Sequence, residues 1–151
     1  MATALDFQLN HVLIQVLHLG DSPMLESVVA SFDMTRKIEM LKARSRHLAA
    51  DAWKKPLLEY LDKLERISRW RNIACHTPLI PDEKDGAVFA PAAATKLLKS
   101  ITIGEVPTSN RIPISTLTQE IQRGEKALYD GQEIVRNFKR LNRERQIRFG
   151  K

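Results

Sequence analysis

Apolar side chains recur every three or four residues through the first half of the chain, which is the spacing of one face of an α-helix. This pattern predicts a first helix over residues 5–19, ending near Gly20 at a C-terminal glycine. It also predicts a short second helix that starts at Pro23 and a third helix that is capped by Asp33. The third helix carries a set of basic side chains that we interpret as a solvent-exposed face: Arg36, Lys37, Lys42, Arg44 and Arg46.

The longest helical pattern of the first half begins at Pro56 and ends near His76. Pro78 and Pro81 stop it, because proline cannot continue the hydrogen-bond ladder and disfavours helical dihedrals in the residue before it. Arg71 falls on the apolar side of this helix, four residues after Ile67. A guanidinium directed at a buried surface is costly unless it is paired or lines a wet cleft. This segment is therefore the first candidate for function.

Residues 82–113 lose the helical periodicity. A polar turn over 82–86 precedes a short strand-like run over 87–90, and a second such run covers 97–106. These features predict a β-hairpin or an irregular insertion, although residues 92–100 fit a short helix equally well.

A final helix is predicted from Ser115 or Thr116 to about Leu141. Its apolar side follows an alternating four-three rhythm that includes Gly124 and Gly131. Each glycine lowers helix propensity by about 1 kcal/mol relative to alanine. Such a cost is tolerable where another helix crosses closely.

We therefore predict an all-α fold, an up-and-down bundle of four to five helices with a small β-hairpin or irregular insertion before the last long helix. A chain of 151 residues is long enough for one domain with its own core. We assign that domain to residues 1–138, with the insertion at about 82–113, and regard 139–151 as a basic C-terminal tail.

Composition narrows the functional classes. The chain is 43% hydrophobic and 28% charged, and it contains no apolar run near the roughly 20 residues of a membrane span. The N-terminus lacks the basic and apolar regions of a secretory signal, so we expect a cytoplasmic protein without membrane association. Cys75 is the single cysteine, and with four scattered histidines it forms no zinc-binding pattern. We expect no metal and no cofactor.

The net charge of +6 is concentrated at the C-terminal end. Residues 136–151 contain seven basic side chains and one acidic one, whereas residues 1–135 contain 17 of each. Such a segment is typical of a nucleic-acid contact, although a solvated helix end that maintains solubility has the same composition. The candidate RNA-binding residues are Arg69, Arg136, Lys139, Arg140 and Arg143.

The sequence Arg71-Asn72-Ile73-Ala74-Cys75-His76 resembles the signature of HEPN domains, an arginine followed after four to six residues by a histidine. A polar residue usually follows the arginine in that signature, as Asn72 does here. Arg69 also satisfies the spacing, but Trp70 follows it. The resemblance extends to the order of elements, with helices first, the motif near the middle, an insertion, and a long C-terminal helix.

This resemblance implies a metal-independent endoribonuclease of a toxin or defence type, in which two protomers pair their motifs across the cleft of a homodimer. His76 would then be the general base or acid, Arg71 would stabilise the phosphorane charge, and Asn72 would position the phosphate or the histidine. The residue types suit attack by an RNA 2′-hydroxyl on the adjacent phosphate, since histidine exchanges protons near neutral pH and arginine presents a planar fork of donors.

The resemblance also suggests an antitoxin or another protein partner. In the branch paired with a nucleotidyltransferase antitoxin, the modified tyrosine lies two residues after the histidine, where this chain has Pro78. That form of regulation is therefore in doubt. The alternative function is a non-catalytic helical domain for dimerisation or partner binding. Arg71 would then pair with Asp62, Glu65 or another carboxylate, and His76 would complete the last turn of the helix.

Overall fold

The computed structural model describes residues 2–20, 23–89 and 112–149. These residues form five helices and one three-stranded antiparallel sheet, in the order α1 (Ala2–Leu17), α2 (Pro23–Ser31), α3 (Met34–Ser45), α4 (Asp51–His76), β1 (Leu79–Asp82), β2 (Gly86–Phe89), β3 (Ile112–Pro113) and α5 (Ile114–Phe149). The predicted all-α fold with a small β insertion before the last long helix is confirmed. Within these ranges, no helix has both the length and the apolar character that crossing a membrane requires.

The chain divides into two compact units. The first comprises residues 1–68 and 123–151, and the second comprises residues 69–122. Helices α4 and α5 contribute residues to both. The assignment of one domain to residues 1–138 stays a prediction.

The first unit is a helical bundle with α1 at its core. Residues of α1, α3, α4 and α5 form one buried cluster, and the side chains that are fully inaccessible to solvent include Leu9, Leu13, Leu41, Leu61 and Ala127. Burying a leucine of this kind stabilises the fold by about 1.5–3 kcal/mol before the loss of conformational entropy is counted. The apolar periodicity of the sequence thus predicts the correct faces of these helices.

Helix α1 ends at Leu17, two residues earlier than the sequence predicts. His18, rather than Gly20, is the first residue after the helix with a left-handed backbone, at a φ of 55°. The His18 amide donates to the carbonyl of Gln15 and the Leu19 amide donates to the carbonyl of Ile14. These two bonds form a Schellman motif, which satisfies carbonyls at the end of the helix.

Helix α4 begins at Asp51, whereas the sequence predicts a start at Pro56. The amides of Trp53 and Lys54 donate to the carbonyl of Ala50, so the helix is already established before the proline. Pro56 lies in the second turn, where its missing amide removes one intrahelical hydrogen bond near the N-terminal end of the helix.

Three helices approach one another closely at Gly131 of α5. A Cβ atom added there would lie 2.8 Å from Cγ of Gln8 in α1 and 3.0 Å from the hydroxyl of Tyr60 in α4. The expectation that a glycine on this face marks a close helix crossing is confirmed at this position.

Two lysines of α3 contradict the predicted solvent-exposed face. Lys37 is completely buried and its Nζ lies 2.8 Å from Oδ1 of Asp6 in α1. Lys42 is partly buried and contacts Asp62 and Glu65 of α4 at 3.2 and 2.9 Å. The prediction was wrong here because basic side chains on α3 pair with acidic side chains on the neighbouring helices.

The second unit contains the sheet, in the order β1-β2-β3. β1 and β2 form a hairpin in which Leu79 pairs with Phe89 and Asp82 pairs with Gly86. The Asp82 carboxylate accepts hydrogen bonds from the amides of Lys84 and Asp85, and Gly86 has a φ of +69°, which a residue with a side chain rarely adopts.

This hairpin confirms the polar turn and the strand that follows it, but β1 itself was not predicted. Pro81 is accommodated because β1 is an edge strand, where a missing amide donor is tolerated. The predicted run over 97–106 and the alternative helix over 92–100 lie outside the described residues.

Helix α5 continues to Phe149, beyond the predicted end at about Leu141. The basic segment is therefore helical from its beginning through Phe149. No glycine or proline interrupts the helix over these residues.

Candidate functional site

The predicted Arg-Asn-His motif occupies the last two turns of α4. His76 is the final residue of the helix, and the amide of Thr77 donates to the carbonyl of Ile73 at 2.9 Å. Pro78 follows and has no amide with which to extend the ladder. The predicted helix end is confirmed, and it leaves the motif at a helix C-terminus.

Arg71, Asn72 and His76 are all exposed. The expectation that Arg71 is directed at a buried surface was wrong. In this part of α4 the residues with partly covered side chains include Trp70, Ile73 and Ala74, so the covered side of the helix has turned away from Arg71. Its guanidinium therefore remains available to a ligand in solution.

None of the three motif side chains has a hydrogen bond or an ion pair within the described residues. Both carboxylates named for a structural pairing of Arg71, those of Asp62 and Glu65, contact Lys42. The hydrogen bond that Lys42 donates to Glu65 raises the pKa of Lys42, against a smaller opposing effect of desolvation. The pairing of Arg71 with Asp62 or Glu65 is thus not formed within these ranges.

The helical geometry separates the motif into two directions. Asn72 and His76 are four residues apart, so they lie on one face with their Cβ atoms about 5–6 Å apart. Arg71 is five residues before His76 and points about 140° away around the helix axis. One copy of α4 therefore presents Asn72 and His76 together and Arg71 separately.

Arg69 is the arginine that shares a face with His76. The two residues are seven positions apart, which corresponds to about two helical turns. Arg69 is exposed and already has an interaction within the protein. Arg69 therefore lies on the same face as Asn72 and His76, and its role in RNA binding stays a prediction.

The other predicted RNA-binding residues belong to α5 in the first unit and differ in their pairing. Arg136 contacts Glu133 at 2.7 Å, and Arg140 lies 3.9 Å from Glu144. Lys139 and Arg143 have no ion pair within the described ranges. They line a polar cleft together with the buried side chain of Asn142, a residue that sequence reasoning missed. The sequence feature that could have identified Asn142 is its position four residues after the core residue Phe138, which places a polar side chain on the inward face of the helix.

The described residues contain no group of three or more histidine, cysteine, aspartate and glutamate side chains arranged to hold a metal ion. Cys75 is exposed with a free thiol. Comparison of the chain with protein-family models, curated proteins and solved structures finds no match. The motif and its geometry are consequently the basis on which a function can be assigned.

Proposed function

We propose that this protein is a HEPN-like, metal-independent endoribonuclease of a toxin or defence type that acts as a homodimer. The catalytic residues are Arg71, Asn72 and His76. The observation that carries the proposal is the exposure of all three side chains at the end of α4, without any internal hydrogen bond or ion pair within the described residues.

The residue types match the requirements of RNA cleavage by the adjacent 2′-hydroxyl. His76 takes the proton from this hydroxyl or delivers one to the departing 5′-oxygen, and either step needs a group that exchanges protons near neutral pH. Arg71 donates hydrogen bonds to the phosphorane oxygens, where negative charge increases in the transition state. Asn72, on the same helical face as His76, orients the phosphate or the imidazole.

The separation of Arg71 from His76 supports a composite site. In one chain these side chains point about 140° apart, so they do not approach one phosphate from the same face. In a symmetric dimer, Arg71 of one protomer completes the Asn72 and His76 face of the other. Each dimer then contains two equivalent sites.

Exposed apolar side chains in the second unit support the homodimer. Leu79, Ile114 and Ile121 expose 51%, 41% and 42% of their surfaces. Exposed apolar residues of this kind are buried when a protein–protein interface covers them. The same residues also favour the alternative, a non-catalytic domain that dimerises or binds another protein.

RNA is the substrate, with Arg69 beside the catalytic face and the basic residues of α5 as further backbone contacts. An antitoxin or another protein partner controls the enzyme in the cytoplasm. No cofactor takes part in the reaction.

The test is the cleavage of single-stranded RNA and total tRNA in buffer containing EDTA. We expect cleavage by the wild-type protein and a loss of at least about 100-fold in both His76→Ala and Arg71→Ala, since general acid–base and electrostatic catalysis each contribute this much. The matched controls are His47→Ala and Arg36→Ala, which remove an exposed histidine and an exposed arginine outside the motif.

Two results would reject the ribonuclease. One is an absence of cleavage by a folded wild-type dimer. The other is retention of activity in His76→Ala at the level of the His47→Ala control. Either result would favour the non-catalytic alternative. That alternative predicts that substitution of Leu79 or Ile121 by aspartate disrupts association, whereas substitution of Arg71 or His76 by alanine leaves association unchanged.

A further inference from the structure

A polar cleft of about 230 Å³ lies in the first unit, between the end of α1 and the C-terminal part of α5. Its lining combines one apolar residue and a glycine with amide and basic side chains, which are those of Gln15, His18, Lys139, Asn142, Arg143 and Gln146. This volume is below the roughly 300–1,000 Å³ of a pocket for a drug-sized ligand. The cleft has room for a single phosphate group and one sugar ring.

The end of α1 forms one wall of the cleft. The backbone turns at His18, in the left-handed conformation, and again at Gly20, whose φ is +77°. Histidine tolerates this conformation better than most residues with a side chain. The hydrogen bonds of the Schellman motif thus fix the backbone at His18, an exposed residue that lines the cleft.

The other wall is one face of α5. Lys139, Arg143 and Gln146 are spaced by four and three residues, so they lie on the same side of the helix. Lys139 and Arg143 have no ion pair within the described residues, and none of the lining residues is acidic. The cleft is therefore positively charged and contains unoccupied hydrogen-bond donors.

Asn142 lies at the base of this cleft and is only 8% exposed. Its Nδ2 donates to the backbone carbonyl of Gln15 at 3.0 Å, which fixes the orientation of the amide because a carbonyl accepts only from the nitrogen. The Oδ1 atom is buried and accepts no hydrogen bond within the described residues. An unpaired buried acceptor is costly, so a ligand donor that displaces the side chains covering Oδ1 would remove the cost.

We propose that this cleft binds a phosphate group together with a neighbouring ribose hydroxyl. Lys139 and Arg143 donate to the phosphate oxygens, and the hydroxyl donates to Oδ1 of Asn142. Ligands with this chemistry are a ribonucleotide free in solution and a nucleotide within RNA. Binding here does not depend on ribonuclease activity, because Arg71, Asn72 and His76 take no part in it.

The test measures binding of three small ligands to the full chain by NMR titration: inorganic phosphate, methyl phosphate and ribose 5-phosphate. The cleft variant combines Lys139→Gln with Arg143→Gln. Its matched control combines Arg46→Gln with Lys55→Gln, which removes the same charge, one arginine and one lysine, at exposed positions of the first unit outside α5.

We expect ribose 5-phosphate to bind more tightly than methyl phosphate, which has the phosphate but no hydroxyl. The cleft variant should weaken binding of ribose 5-phosphate by about 100-fold, or about tenfold for each charge-assisted hydrogen bond. The control variant should change the affinity by less than about threefold, because only screened long-range charge is lost. Equal losses in the two variants, or an absence of binding, would overturn the proposal.

Asn142→Leu tests the hydroxyl contact. This substitution should weaken the binding of ribose 5-phosphate about fivefold and leave the binding of methyl phosphate unchanged. Should the variant fail to fold, the comparison of the two ligands on the wild-type protein decides the point, since equal affinities would exclude the hydroxyl contact.

A short single-stranded RNA distinguishes the two sources of the ligand. If the source is RNA, the oligonucleotide should bind and the cleft variant should weaken it more than the control variant does. If the source is a free ribonucleotide, the cleft variant should weaken the binding of ribose 5-phosphate and leave the binding of the oligonucleotide unchanged.

Discussion

The close helix crossing at Gly131 gives a prediction in which two effects of known size oppose each other. Gly131→Ala in the middle of α5 gains about 1 kcal/mol of helix propensity. The new Cβ, however, would lie 2.8 Å from Cγ of Gln8 and 3.0 and 3.1 Å from the hydroxyl and Cε2 of Tyr60. These distances are shorter than the roughly 3.5–4.0 Å at which carbon atoms attract each other.

Whether the neighbours can move decides the sign. Gln8 is partly exposed and can change rotamer, but Tyr60 is fully buried in the core and can shift only with the helices around it. Insertion of a methyl group into such a site costs about 1–3 kcal/mol. We therefore expect Gly131→Ala to lower the free energy of unfolding by about 1 kcal/mol in total.

Urea unfolding followed by circular dichroism measures this difference, with Gln132→Ala as the control for alanine at an exposed position of the same helix. Adding Gln8→Ala should recover part of the loss, because it removes the contact at 2.8 Å. A Gly131→Ala protein as stable as the wild type or more stable would show that the crossing is looser than the structure indicates.

Two further predictions concern buried polar groups in the same unit. Burial, together with the negative charge of Asp130, raises the pKa of Tyr60, whose hydroxyl has no hydrogen-bond partner within the described residues. Above about pH 10 the unfolded chain loses the tyrosine proton while the folded chain keeps it, so wild-type stability should fall there more steeply than that of Tyr60→Phe. At neutral pH Tyr60→Phe should be as stable as the wild type or up to about 1 kcal/mol more stable, and a large loss would mean that the hydroxyl is paired. Lys37→Met keeps most of the buried volume and leaves Asp6 in contact with water. Its free energy of unfolding in urea should therefore be lower than that of the wild type by less than about 1.5 kcal/mol. Lys37→Ala should cost about 2–4 kcal/mol through the cavity, and equal losses in the two variants would assign the stability to the ion pair instead.

Periodicity predicted the helices because each buries one face, and the spacing of apolar residues records that face directly. It failed at Lys37, although this residue lies three positions after Met34 and four before Leu41, on the inward side. The assumption that lysine is exposed overrode the spacing. Only the packing of α1 against α3 brings Asp6 within reach of this lysine, and no local pattern contains that information.

At the candidate site, too, local sequence patterns predicted some features, and others depended on tertiary packing. The end of α4 at His76 followed from Pro78, and the shared face of Asn72 and His76 followed from helical geometry alone. The exposure of Arg71 did not, because it depends on which side of α4 is covered in the second unit. The cleft at Asn142 depends on how α1 ends against α5, which is a tertiary feature.

The central claim is that Arg71 and His76 act from different protomers, and mixing two inactive variants tests it most directly. Arg71→Ala and His76→Ala are each expected to be inactive, but a dimer with one of each retains one intact site. Random exchange of protomers should therefore restore about one quarter of the wild-type rate of RNA cleavage in EDTA, with 2′,3′-cyclic phosphate ends on the products. An absence of recovery in a mixture that demonstrably contains heterodimers would contradict the composite site.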